Sequence, residues 1–218
     1  MKGFKKLSSS KSINWIDHII GFISVLLGVI MALALNNWNE NRKENELLNA
    51  AILNIENEII KNVEKVDSTI LENERVYLAF REYIGMVDEN MDVIAHEDTI
   101  LKFQQKYPDL LDEDLDISLS FDLFQLSRVS WETTQRTGIL SSFGFEISYE
   151  LGLIYDFQTK LDRFDEDIVY EIQTFNDRRE KAVQLLRLIR ISLDFAKSLK
   201  EEGYPECLES IERFKEKL

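Results

Sequence analysis

Apolar residues recur along most of this chain at steps of three and four, the spacing that puts them on one face of an α-helix. Leu48, Ile52, Ile55, Ile59, Val63, Val66 and Ile70 step by 4, 3, 4, 4, 3 and 4, with Glu, Lys and Asn filling the other faces. No Gly or Pro separates this stripe from an apolar run upstream. One helix is therefore expected from near Ile13 toward Gly85, with Asn36 and Asn37 the place where a kink would fall. Gly85-Met86 and the polar residues 88–98 mark a turn, and residues 99–107 read as a short helix stopped by Pro108. The stretch SWETTQRTG is expected to form a helix capped by Ser130 or an earlier residue and closed by Gly138 in the left-handed conformation, with a tight turn over 138–142.

Two further stripes follow. Ile147, Leu151, Ile154, Phe157, Leu161, Phe164, Ile168, Ile172 and Phe175 form the first, and Ala182, Leu185, Ile189, Leu193, Ala196 and Leu199 the second, with a bend or turn expected over 176–180. Gly203 is expected to end the second, and Pro205 suits the first turn of a last helix, CLESIERFKEKL. Helices this amphipathic bury their stripes on one another, most simply as three or four antiparallel helices. The expected fold class is thus all-α, with one N-terminal transmembrane helix followed by an extramembrane antiparallel helical bundle.

The transmembrane assignment rests on residues 19–39, which contain no Asp, Glu, Lys or Arg, and on the run IIGFISVLLGVIMALAL at 19–35. This run of 17 residues, apolar apart from Gly21, Ser24 and Gly28, is near the lower bound for crossing a hydrocarbon core of ~30 Å. Trp15 and Trp38 stand 23 residues apart, a rise of about 35 Å that places one indole at each membrane interface. Ala32-Leu33-Ala34 also has the small-x-small form of a signal cleavage site. The 18-residue lead and the apolar length favour a retained anchor. Within the span Ser24, Gly28 and Ala32, with Gly21 beside them, form a ridge of small residues on which another transmembrane helix could pack.

Charge sets the direction. Residues 1–18 carry Lys2, Lys5, Lys6 and Lys11 against Asp17, a net +3, so the total of -14 leaves -17 for the rest. Positive residues stay inside. Residues 1–18 are thus read as a basic cytoplasmic tail, 19–38 as the transmembrane helix and 39–218 as an extracytoplasmic helical domain. The expected location is the cell inner membrane, with the C-terminal domain in the periplasm. Such acidity opposes nucleic-acid binding.

Candidate chemistry is sparse. Cys207 is the single cysteine and reads as a small buried hydrophobe on a helix. His18 sits at the edge of the span and His96 in a polar turn, so no paired His for zinc is expected, and no HExxH, GxSxG, P-loop or dinucleotide fingerprint occurs. The acidic cluster Asp109, Asp112, Glu113, Asp114 and Asp116 lacks the glycine and terminal Glu spacing of an EF-hand and reads as a solvated loop. Glu56 with Glu58, Asp162 with Asp165 and Glu166, and Glu201 with Glu202 read as solvated helix faces. No catalytic residue, metal ligand or cofactor is assigned.

The order of basic tail, single span and LNNWNENRKENE at 35–46 resembles the DUF6090-like group of small single-pass proteins of Bacteroidota. WETTQRTGIL at 131–140, with the helix through Tyr155, is similar to that group's helix, glycine turn and helix. This chain lacks the acidic residue that many members carry in the span. The resemblance implies a membrane-anchored helical domain and supplies no activity. Two functions are expected from all this. The first is a non-catalytic membrane-anchored interaction protein whose partners are the lipid bilayer and a second copy or another membrane protein. The alternative is a solute-binding, sensor-like ectodomain acting through a partner.

Overall fold

The structure is a computed structural model and describes residues 15–111, 117–175 and 178–217. Lys2, Lys5, Lys6 and Lys11 of the basic tail, and Asp112, Glu113, Asp114 and Asp116 of the acidic cluster, lie outside the described residues. The fold is all-α: among the described residues there are helices and two isolated antiparallel bridges, Val87 with Val93 and Leu111 with Ile117, and no strand. The chain divides into two units, Met1–Leu47 and Leu48–Leu218.

The first unit is the leading part of helix α1 (Trp15–Ile84). Asn36 and Asn37 lie within this continuous helix, where Asn36 Nδ2 donates to Glu40 Oε1 one turn on, at 2.8 Å. From Ile19 to Leu35 the apolar side chains are exposed.

In the second unit the expected stripe becomes core. Leu48, Ile52, Ile55, Ile59, Val66 and Ile70 are all buried and Val63 is half-buried. Helix α2 (Glu97–Lys106) rests Phe103 against Tyr83 and Tyr107. Then α3 (Val129–Thr137) leads through a 3-10 turn (Ile139–Phe143) into α4 (Phe145–Gln173). Helix α5 (Arg179–Ser198) returns along α4, as the Lys181–Glu171 pair and the packing of Phe195 on Phe157 and Phe164 show. It also runs antiparallel to α1: Lys197 pairs with Glu74, Lys200 with Asp67, and, in α6 (Tyr204–Lys215), Lys215 with Glu56.

Gly203 departs from expectation. It does not end a helix; at φ -61°, ψ -53° it belongs to a π-helical turn (Leu199–Gly203) that carries α5 straight into α6. Packing explains this. A Cβ on Gly203 would lie 3.2 Å from both Ile154 Cδ1 and Leu199 Cδ1, so this glycine is used for close helix approach and not for a left-handed stop. Gly138, at φ 77°, does close α3 as predicted.

Candidate functional site

The residues singled out from sequence for membrane contact all lie on α1, spread along its length and not gathered at one point. Trp15 is 76% exposed and Trp38 is 63% exposed. Gly21 and Gly28 face open space, since a Cβ on either would meet nothing within 4 Å. Ser24 Oγ is turned back on its own helix, donating to the Ile20 carbonyl at 2.9 Å, the usual way a membrane helix satisfies a hydroxyl. Ala32 is exposed with them. These positions form an open, small-residued surface within a helix segment long and apolar enough to cross a membrane.

The bundle holds a second concentration of unusual chemistry that the sequence reading missed. Residues 117–128 have no regular structure, yet Phe124 and Leu126 are buried, so the backbone around them needs hydrogen-bond partners. Side chains supply these. Asn73 in α1 accepts from the Asp122 N–H at 2.9 Å and donates to its carbonyl at 2.8 Å. Eleven residues back, Asn62 treats Ser127 identically, at 2.9 and 2.8 Å. From α4, Asp165 Oδ2 accepts the Phe124 N–H at 2.7 Å. Two carboxamides and a carboxylate thus replace a neighbouring strand, strapping this segment down between α1 and α4.

Glu58 closes the seam. It is 6% exposed and accepts from Ser127 Oγ–H, the Ser130 N–H and Tyr155 O–H at 2.8, 2.8 and 2.7 Å. The expected N-cap on α3 is thereby corrected. No side chain of the 128–130 segment caps it; the carboxylate comes from α1 and sits where the first-turn N–H groups and the helix dipole favour a negative charge. Trp131 then stacks on Tyr155, ring centroids 5.0 Å apart and planes within 4°. Arg128 reaches Asp162 and Thr159 of α4, both at 2.7 Å.

The strap also explains the topology. It passes Asn73, Asn62 and Glu58 in that order on one side, and Asp165, Asp162 and Tyr155 on the other, so it runs antiparallel to both helices. Helix α4 therefore starts again at the end from which α1 came, and the two are parallel while α5 opposes them.

Glu58 and Asp165 are accordingly not solvated, as sequence pairing had suggested, whereas Glu166, Glu201 and Glu202 are on the surface or near it. The available signal was a polar line at helical spacing, Glu58, Asn62, Thr69 and Asn73, set beside the apolar stripe of α1. All four are buried.

Burial raises the Asp165 carboxyl to about 7, helped by Asp162 and opposed by the Phe124 N–H and Lys65. In an unfolded chain an Asp titrates near ~3.9. Below that pH the group is protonated in both states and costs nothing. As pH climbs toward 7 only the unfolded chain gives up its proton freely, so the native state loses stability across this window and then levels off. Urea midpoints should show this slope for the native sequence and a flatter one for Asp165→Asn; equal slopes would exclude Asp165 as the cause. Burial likewise pushes the Cys207 thiol up to about 12, matching a small inert core residue.

Among the described residues no three or more His, Cys, Asp or Glu are placed to hold a metal ion. No family, curated protein or solved structure matches the chain.

Proposed function

We propose that this protein is a membrane-anchored, non-catalytic interaction protein. Its N-terminus lies in the cytoplasm, α1 crosses the inner membrane over residues 19–38, and the helical domain stands in the periplasm, where it or the span docks on a second copy or another envelope protein. One observation carries the reading. Along the same helix the apolar side chains of 19–35 are exposed, whereas the stripe of Leu48, Ile52, Ile55, Ile59, Val66 and Ile70 is packed into a core. Fourteen exposed apolar side chains in water would oppose solubility, while in lipid they are matched to their solvent. The lysines of the tail support the direction, and the likeness to single-pass Bacteroidota proteins at 35–46 and 131–140 supports the same arrangement.

A reporter active only outside the cytoplasm, fused after Leu218, should be active, and one active only in the cytoplasm should be silent. The reverse pattern overturns the topology. Cross-linking in native membranes should capture a discrete species, and Gly28→Leu should diminish it by forcing apart helices that approach at the small-residue ridge, without lowering membrane yield. Unchanged capture would remove the ridge from the proposal.

A further inference from the structure

The strap 117–128 lies on the bundle without a neighbouring strand. Among the described residues the amides of Asp122, Phe124 and Ser127 bond to the side chains of Asn73, Asp165 and Asn62, and none of the three bonds to another backbone. Its apolar hold is small. Only Phe124 and Leu126 of the strap are buried, with Ile117, Leu119 and Phe121 half-buried. Two features oppose the closed arrangement. Gln125 has φ 45°, a left-handed conformation that a residue with a Cβ enters at a cost. Asp165 gives Oδ2 to the Phe124 N–H while Oδ1, in a residue only 5% exposed, receives no hydrogen bond, so closing the strap keeps a carboxyl group from water without satisfying it.

We propose that residues 117–128 form a latch that lifts from the folded bundle as one piece, opening as pH rises toward neutral and closing as it falls. With the strap closed, burial holds the Asp165 carboxyl at about 7. In water it returns toward ~3.9, so opening releases a proton between these values. The opening constant then rises by up to about tenfold per pH unit in that window and is level on either side. The charged groups around Asp165 are Asp162 and Glu166 of its own helix and Lys65 of α1. From the strap come uncharged Leu123 and Gln125, and Arg128 is engaged by Asp162. All these groups belong to the Leu48–Leu218 unit, so the latch is independent of the membrane reading.

Amide hydrogen exchange of the full chain in dodecylmaltoside micelles tests this, each rate being divided by its intrinsic chemical rate. The Asp122, Phe124 and Ser127 amides should share one protection factor, about a hundredfold or more below those of Leu185 and Ile189 in α5. Low urea should leave the strap value nearly unchanged while lowering the α5 values, because a lifted strap exposes little surface. Between pH 5 and 7 strap protection should fall, by up to about tenfold per unit. Asp165→Asn keeps an acceptor for the Phe124 N–H, removes the titration and should flatten that fall. Asn73→Ala removes the Asp122 clamp alone, yet protection at Ser127, still held by Asn62, should drop with it by about tenfold if the strap moves as one piece. With the pH series of the native sequence, this variant keeps the test decisive should Asp165→Asn fail to fold. The proposal is overturned if the strap amides share the protection and urea dependence of α5, if their protection does not fall between pH 5 and 7 or falls equally in Asp165→Asn, or if Asn73→Ala frees Asp122 alone.

Discussion

Ile59→Asp should prevent residues 40–218 from folding cooperatively. Ile59 is completely buried in the core stripe of α1. Burying an unpaired carboxylate on a packed face while removing a branched hydrophobe costs at least ~4 kcal/mol, a large part of the stability of a typical domain. The comparison that isolates the cause lies on the same helix. Leu53 is 52% exposed, and Leu53→Asp should stay within ~0.5 kcal/mol of the parent. Circular dichroism with urea titration of the three proteins checks both. A cooperative transition in Ile59→Asp at the parent's midpoint would mean that α1 does not pack by this stripe.

Glu58→Ala should be nearly as damaging, for an opposite reason. Removing this carboxylate leaves the buried Tyr155 hydroxyl and the half-buried Ser130 N–H without their acceptor at once, while the hydroxyl of the exposed Ser127 can turn to water. Each buried group left unpaired costs ~1–3 kcal/mol, so a total loss of ~3–5 kcal/mol is expected. Glu58→Gln retains one acceptor oxygen and should lose about half as much. Hydrogen exchange distinguishes this cause from general loosening. The Ser130 and Trp131 amides should lose protection first, while Leu185 and Ile189, buried in α5, keep theirs. Uniform loss across both helices would show that Glu58 does not act as the cap of α3.

These two neighbours mark how far the sequence could be read. Ile59 announces itself, because burial of an apolar stripe needs only the 3.6-residue period and an uninterrupted helix, and both are local. Helix α1, the left-handed Gly138 and the break between α4 and α5, whose residues 176 and 177 lie outside the described residues, are legible for the same reason. Glu58 looked like a surface carboxylate one turn from a lysine, since its three partners lie 69, 72 and 97 residues away.

What the sequence determined by itself was the set of helices, their core faces, the apolar segment at 19–35 and the acidic balance of the rest, each of which follows from side-chain type and spacing along one strand of chain. Only the tertiary structure decided that 117–128 would be an irregular strap held by Asn62, Asn73 and Asp165, that Glu58 would cap a helix it does not belong to, that Gly203 would carry a π-helical turn, and that α1 and α4 would be parallel. The physical reason is that a buried polar group must be satisfied wherever its partner lies, and distance along the chain places no limit on which residue that partner is.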